Sequence, residues 1–169
     1  MLKKDNFEAE IQNDVMQHRK QTEITLAILR IAVGWHFLFE GLVKVFNPAW
    51  TSRAYLLDSG GWFRNFFYWI AGNQAVLNAS DFLNAWGLTF IGLAMVLGFL
   101  SRYAAAAGIF LLSLYYLSHP PFPGITYLFP SDGSYFVVNK TLIEGLLLLL
   151  IYQYPAEEVI GIKRIMFKK

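Results

Sequence analysis

The stretch Arg30–Lys44, R-I-A-V-G-W-H-F-L-F-E-G-L-V-K, decides how this chain is read. It lies within an apolar run from about residue 24 to residue 46, long enough to cross a bilayer at about 1.5 Å per helical residue. Yet it carries Arg30, His36, Glu40 and Lys44. At about 100° per residue, with His36 as origin, Glu40 falls at about 40°, Lys44 at about 80° and Arg30 at about 120°. All four share one sector of a helix, with Val33 and Phe37 between them. A charge at the bilayer centre costs about 2.5–3.5 kcal/mol on insertion scales, so that sector must face protein or water. Some other part of the chain has to meet it.

The composition agrees with a membrane setting. Hydrophobic residues make up 56% of the 169 and charged ones only 15%, and the length suits one domain over residues 1–169. The net charge of +2 is too small and too scattered to suggest a nucleic-acid partner. The absence of cysteine removes disulfides, thiol nucleophiles, persulfide chemistry and iron–sulfur ligation together. No glycine-rich strand–helix turn and no histidine pair at ligand spacing is present, so there is no flavin, nucleotide or metal motif. A redox cofactor would therefore be diffusible or belong to a partner.

Residues 1–23 mix both signs of charge, and no small-residue cleavage pattern follows the apolar run, unlike a signal peptide. Phe7, Ile11 and Val15 recur every four residues, which fits a short amphipathic helix on the membrane; a frayed tail fits as well. The first span, about 24–46, stops at Asn47-Pro48. Residues 48–81 crowd Trp50, Tyr55, Trp62, Phe63, Phe66, Phe67, Tyr68 and Trp69 between glycine breaks. They read as two short interfacial helices or as an aromatic vestibule over the bundle. Spans two and three, about 82–100 and 103–117, form a hairpin around Ser101-Arg102 and read as packing helices. Their Ala94-x-x-x-Gly98 and Ala104-x-x-x-Gly108 patterns permit close helix approach. The proline-rich residues 118–135 form a cap, and the fourth span, about 136–154, ends at Pro155. The tail with Lys163, Arg164, Lys168 and Lys169 reads as a basic surface segment.

The expectation is an all-α integral membrane protein, a four-transmembrane-helix bundle with interfacial aromatic helices between spans one and two. Both termini and the Arg102 turn hold nine positive residues, against Arg53 and Arg64 on the other side. This asymmetry predicts cytoplasmic termini. Depth then aligns Lys44 with Lys140, about a turn from the outer end, and Glu40 with Glu144, about two turns down, with His36 nearer the middle. A Glu40/Lys44 and Lys140/Glu144 quartet would be neutral as a set. It serves either as a polar membrane site or merely as a device fixing helix register. His36 alone is equally readable as a core histidine bonded to a carbonyl, Lys44 as a snorkelling residue, and Arg30 as snorkelling or phosphate-binding.

The pattern R-I-x-x-G-x-x-F-x-x-x-G with the following Lys44, then N-P-x-W, resembles the DoxX-like membrane proteins. Asn139-Lys140 and Glu144, opening the last span, are similar to the same family. The aromatic segment and the length look most like the DoxD branch, the small membrane subunit of thiosulfate:quinone oxidoreductase. The resemblance covers most of residues 24–154. It implies a four-helix, multi-pass protein of a prokaryotic cytoplasmic (inner) membrane, with a partner membrane or periplasmic subunit and room for a homo-oligomer. It also implies electron transfer from a sulfur compound such as thiosulfate to a diffusible quinone.

That chemistry requires proton donors near the quinone carbonyls and an apolar slot for the ring. Glu144, Glu40 and His36 are the candidate proton donors. Lys140 would polarise a carbonyl, and Trp35, Phe37 or Tyr115 would wall the slot. A sulfur oxyanion would need a cation, from Lys44, Lys140, Arg53 or Arg64. Two rival functions remain: a non-enzymatic assembly or stabilising subunit of a membrane complex, and a small proton or solute carrier.

Overall fold

The computed structural model describes residues 2–128, 136–157 and 159–162, with side chains from Glu10 onward. These residues form six helices: α1 (Leu2–Val45), α2 (Arg53–Leu57), α3 (Arg64–Gly72), α4 (Gln74–Leu97), α5 (Ser101–Ser118) and α6 (Lys140–Gln153). The tail basic residues, the loop residues 129–135 and the side chain of Phe7 lie outside the described part.

Helix α1 is continuous over 44 residues, about 66 Å, so the acidic–basic N-terminal segment neither frays nor forms a separate helix. From Glu10 to Thr22 its side chains are exposed. Among the described residues, α1 from Glu10 and the 24-residue α4 are long and apolar enough to cross a membrane. Helices α5 and α6, with 18 and 14 residues, are shorter.

Two helix starts are decided by asparagine caps. Asn73 is extended (φ −104°) and its side chain accepts from the Val76 amide at 3.2 Å, starting α4 at Gln74. The sequence expectation placed residues 74–81 in the interfacial segment; the cap makes them the first two turns of α4 instead. Asn139 likewise accepts from the Leu142 amide at 2.9 Å, so α6 begins at Lys140 and residues 136–139 precede it. Short helices α2 and α3 do lie between α1 and α4, as expected for the aromatic segment.

The tightest packing joins α1 to α4. A Cβ at Gly92 would strike the backbone of Leu38, one at Gly41 would strike Thr89, and one at Gly34 would lie 2.7 Å from Met95 Cβ. Three glycines thus bring two backbones together, as small residues do in lipid. The expected Ala94/Gly98 pattern plays no such part, because Gly98 is the left-handed C-cap of α4 (φ +64°). Gly108 does face a neighbour, with Leu148 of α6 against it. The main core gathers Val33 and Phe37 of α1, Leu88, Ile91 and Met95 of α4, and residues of α5 and α6. A smaller cluster of Leu56, Phe67, Ala71 and Leu77 holds α2 and α3 to the start of α4.

Where α1 meets the chain after α6, Arg30 is fully buried, which corrects the snorkelling and phosphate-binding readings. Its guanidinium donates to the carbonyls of Pro155 and Ala156, each at 3.1 Å, and of Ile160. Pro155 ends the last helix and turns the chain back, presenting those carbonyls to α1. In the same segment buried Glu157 accepts from the Ser101 amide at 2.6 Å, satisfying a donor at the start of α5. Arg30 also feels the Glu157 charge directly.

Two stability outcomes follow. Gly92→Ala, forced against backbone, should cost at least about 1–3 kcal/mol, whereas Gly87→Ala, which meets open space, should be neutral or stabilising. Arg30→Met leaves the carbonyls of Pro155, Ala156 and Ile160 without their buried donor and should cost at least about 1–3 kcal/mol. Unfolding in mild detergent measures both, and equal behaviour of the two glycine variants would refute the seam.

Candidate functional site

The polar sector of α1 is met at three levels by three different partners. At the middle level His36 Nε2 lies 3.4 Å from Glu144 Oε1 of α6, and Lys140 Nζ lies 4.0 Å from the same oxygen. Glu144 is largely covered, its side chain 19% exposed, while those of His36 and Lys140 are 40% and 56% exposed. The result is a carboxylate gripped by an imidazole and an ammonium at the edge of the α1–α6 contact. The expected cross-helix bond between the two Glu/Lys pairs is absent from the described contacts. Glu40–Lys44 (3.8 Å) and Lys140–Glu144 (4.0 Å) each stay within one helix, and His36 makes the crossing. The reason is the α1–α4 seam: it turns Lys44 toward α4 rather than α6.

At the C-terminal end of α1 the Lys44 ammonium donates to Asn84 Oδ1 of α4 at 3.1 Å. Asn84 in turn donates to the Tyr115 hydroxyl of α5 at 2.6 Å. The ammonium also stands over two rings, 5.2 Å from the centroid of Trp50 and 5.9 Å from that of Tyr115. Lys44 is therefore a fixed, sheltered cation and not a snorkelling one. Glu40, its side chain 52% exposed, is the least enclosed of the group.

Beyond Tyr115 lies a third cluster that the sequence did not single out. Tyr55 of α2 packs edge-on to Tyr115 and stacks on His119, with centroids 6.2 and 4.0 Å apart. Tyr127 covers the other ring contact of His119 at 4.7 Å. His119 Nδ1 is 3.0 Å from Ser118 Oγ, which is 2.7 Å from Ser59 Oγ. His119 Nε2 lies 3.7 Å from Asp58 Oδ2. The Ser118–His119–Asp58 order imitates a hydrolytic triad, but Ser118 is 1% and Ser59 3% exposed, so no substrate carbonyl reaches either hydroxyl. Burial lowers the His119 pKa despite the opposing pull of Asp58. Burial, aided by the charge of Asp58, pushes the Tyr55 hydroxyl up to about 12. The available sequence signal was His119 itself, a histidine next to two prolines at the end of a span.

The other expected residues do not converge on one slot. Phe37 is 1% exposed in the core, edge-on to His36, and Trp35 is 62% exposed, so they do not wall a common cavity. Arg53 donates to Gln74, and Arg64 lies over the Tyr68 ring at 5.6 Å. A groove of about 500 Å³ opens between residues 19–26 of α1 and residues 154–159, lined by none of the expected site residues. Among the described residues no cluster suits a metal ion.

Comparison with family models matches residues 25–120 to the family described as DoxX. The match contains α1 from Thr25 through the end of α5 and stops before α6, so Lys140 and Glu144 fall outside it. Comparisons with curated proteins and with solved structures give no match.

The Lys44–Asn84–Tyr115 chain has a measurable signature. Asn84→Leu strands a sheltered ammonium and should cost about 1–3 kcal/mol, while Tyr115→Phe removes one acceptor and should cost about 0.5–1.5 kcal/mol. Detergent unfolding of the two single variants and the double variant should show less than additive loss. Full additivity would mean the three groups do not act as a chain.

Proposed function

Since the chain belongs to the DoxX family of membrane proteins, we propose that it is the membrane subunit of a quinone-linked oxidoreductase. In this reading it is a DoxD-like subunit that helps pass electrons from a sulfur compound such as thiosulfate to quinone. The carrying observation is the Glu144 carboxylate held between His36 and Lys140 at the half-open edge between α1 and α6. Quinone is the diffusible substrate, and its two-electron reduction takes up two protons, one at each carbonyl oxygen. Glu144 and His36 can supply protons at one oxygen, and Lys140 can polarise the bond to it. The site opens sideways, where an apolar ring with a long tail would arrive from lipid. Electrons come from the sulfur donor through a partner subunit, since this chain has no cysteine.

The same reading takes α1, α4, α5 and α6 as four crossings of a prokaryotic inner membrane, with α2 and α3 at the outer interface. Helices α5 and α6, about 27 and about 21 Å long, would cross where the bilayer thins around the protein. Exposed Trp62, Phe63, Phe66 and Trp69 suit the headgroup level. The nine-to-two split of positive residues favours cytoplasmic termini.

Two experiments test these statements. Glu144→Gln in the intact membrane complex should lower electron transfer to a soluble quinone analogue by about 10²–10⁴-fold, the usual contribution of a positioned proton donor. An unchanged rate at matched folding removes Glu144 from the reaction. Because the chain lacks cysteine, Asn65→Cys should react with an impermeant thiol reagent added outside intact cells, and Asn13→Cys should not. The reverse pattern would overturn the orientation.

A further inference from the structure

The cluster around His119 is built from three separate pieces of chain, and its contacts compete. Asp58 ends α2, its backbone amide donating to the Ala54 carbonyl at 3.1 Å, and its carboxylate accepts from the Leu128 amide through both oxygens, at 3.0 and 2.9 Å. That bond is a direct tie between α2 and the loop 120–128. His119 Nε2, only 3.7 Å from the same carboxylate, is buried with no hydrogen-bond partner among the described residues. Nδ1 is paired with Ser118, and in the imidazolium both ring nitrogens carry N–H, so the charged ring needs an acceptor at Nε2. The nearest group able to accept from it is Asp58.

We propose that His119 and Asp58 form a proton-operated clasp over the Lys44–Asn84–Tyr115 group. With His119 neutral, Asp58 holds Leu128 and the loop is fastened to α2. With His119 protonated, Asp58 turns to the imidazolium, the Leu128 amide loses its acceptor, and the loop loosens. Tyr55 and Tyr127, stacked on the imidazole, lose their register with it, and Tyr55 is the ring that covers Tyr115. The device stands apart from the quinone reading and needs only the contacts named here.

Helices α2 and α5 and the loop supply the groups around the ring. Helix α2 supplies Tyr55 and Asp58, the loop supplies Tyr127, and α5 supplies Tyr115 behind Tyr55. Both Tyr55 and Tyr127 have raised pKa values from burial, so they stay neutral and do not supply a competing charge in acid. Lys44 stands beyond the Tyr115 ring, at 5.9 Å from its centroid, and is a cation throughout. A His119 pKa held below the ordinary value means that the fastened state has its full stability above about pH 6.5. That stability is lost as pH falls through the folded-state value. Acid opens the clasp.

Hydrogen exchange of the full chain in lipid nanodiscs, corrected for the intrinsic pH dependence of exchange, reads the Leu128 tie directly. Between about pH 7.5 and about pH 4.5, protection of the peptide containing Leu128 should fall by about tenfold or more. His119→Gln, which keeps a polar ring-sized group but cannot take the proton, should show no such fall. Asp58→Asn should be poorly protected at both pH values. Unchanged or increased protection of the wild-type peptide in acid overturns the proposal. So does an equal fall in His119→Gln.

Discussion

The approach of α1 to α4 is the constraint on which the remaining geometry depends. Gly34, Gly41 and Gly92 leave no room for a single Cβ, so the two helices meet backbone to backbone and neither can rotate without a clash. That fixed rotation sets what each side of α1 faces. Val33 and Phe37 go into the core, Lys44 comes to Asn84, and His36 is left at the edge where α6 arrives. A helix pair held by larger side chains would have had freedom to roll, and the three charged levels would lose their separate partners.

Each ionisable group on α1 is accommodated by a different chemistry, matched to its depth. Arg30, wholly enclosed, is met by three backbone carbonyls and feels the charge of Glu157, the carboxylate that accepts from the first amide of α5. Its planar fork of donors suits several carbonyl acceptors at once, which an ammonium would not match. Lys44 is met by a neutral amide and two aromatic faces from other segments, with Glu40 of its own helix 3.8 Å away. His36 is met by a carboxylate that is shared with Lys140. Only the last arrangement sits at a half-open edge. The other two are closed, which is why the functional reading rests on Glu144.

The end of the bundle that carries α2 and α3 follows a different logic, because the segments there are too short to stand alone. Helices α2 and α3, with 5 and 9 residues, are held by the small cluster around Phe67 and by polar ties. Asp81 of α4 takes bonds from Thr51 and from the Ser52 amide, fixing the entry to α2. Ser59 and Ser118 join α2 to the end of α5. Such small, polar contacts open at lower cost than the glycine seam, and conformational response belongs at this end.

By itself the sequence determined the class of molecule: an all-helical membrane chain with a charged sector on its first long helix, aromatic short helices after it, and DoxX membership. Those properties are carried by composition, by 3.6-residue periodicity and by local motifs, and need no knowledge of neighbours. Helix starts at Gln74 and Lys140 were also written locally, in Asn73 and Asn139, but a cap is weak beside the aromatic signal that surrounds the first. Partner choice was decided only by the tertiary structure. Matching depth along two helices cannot say which way either is turned, so Lys44 was assigned to α6 when the seam turns it to Asn84, a residue with no charge to mark it. Arg30 seemed free to reach water because the carbonyls that hold it belong to residues 155–160, more than a hundred positions away. His119 and Asp58 are brought together by a turn of α2 and the end of α5, and no spacing in the chain records that meeting.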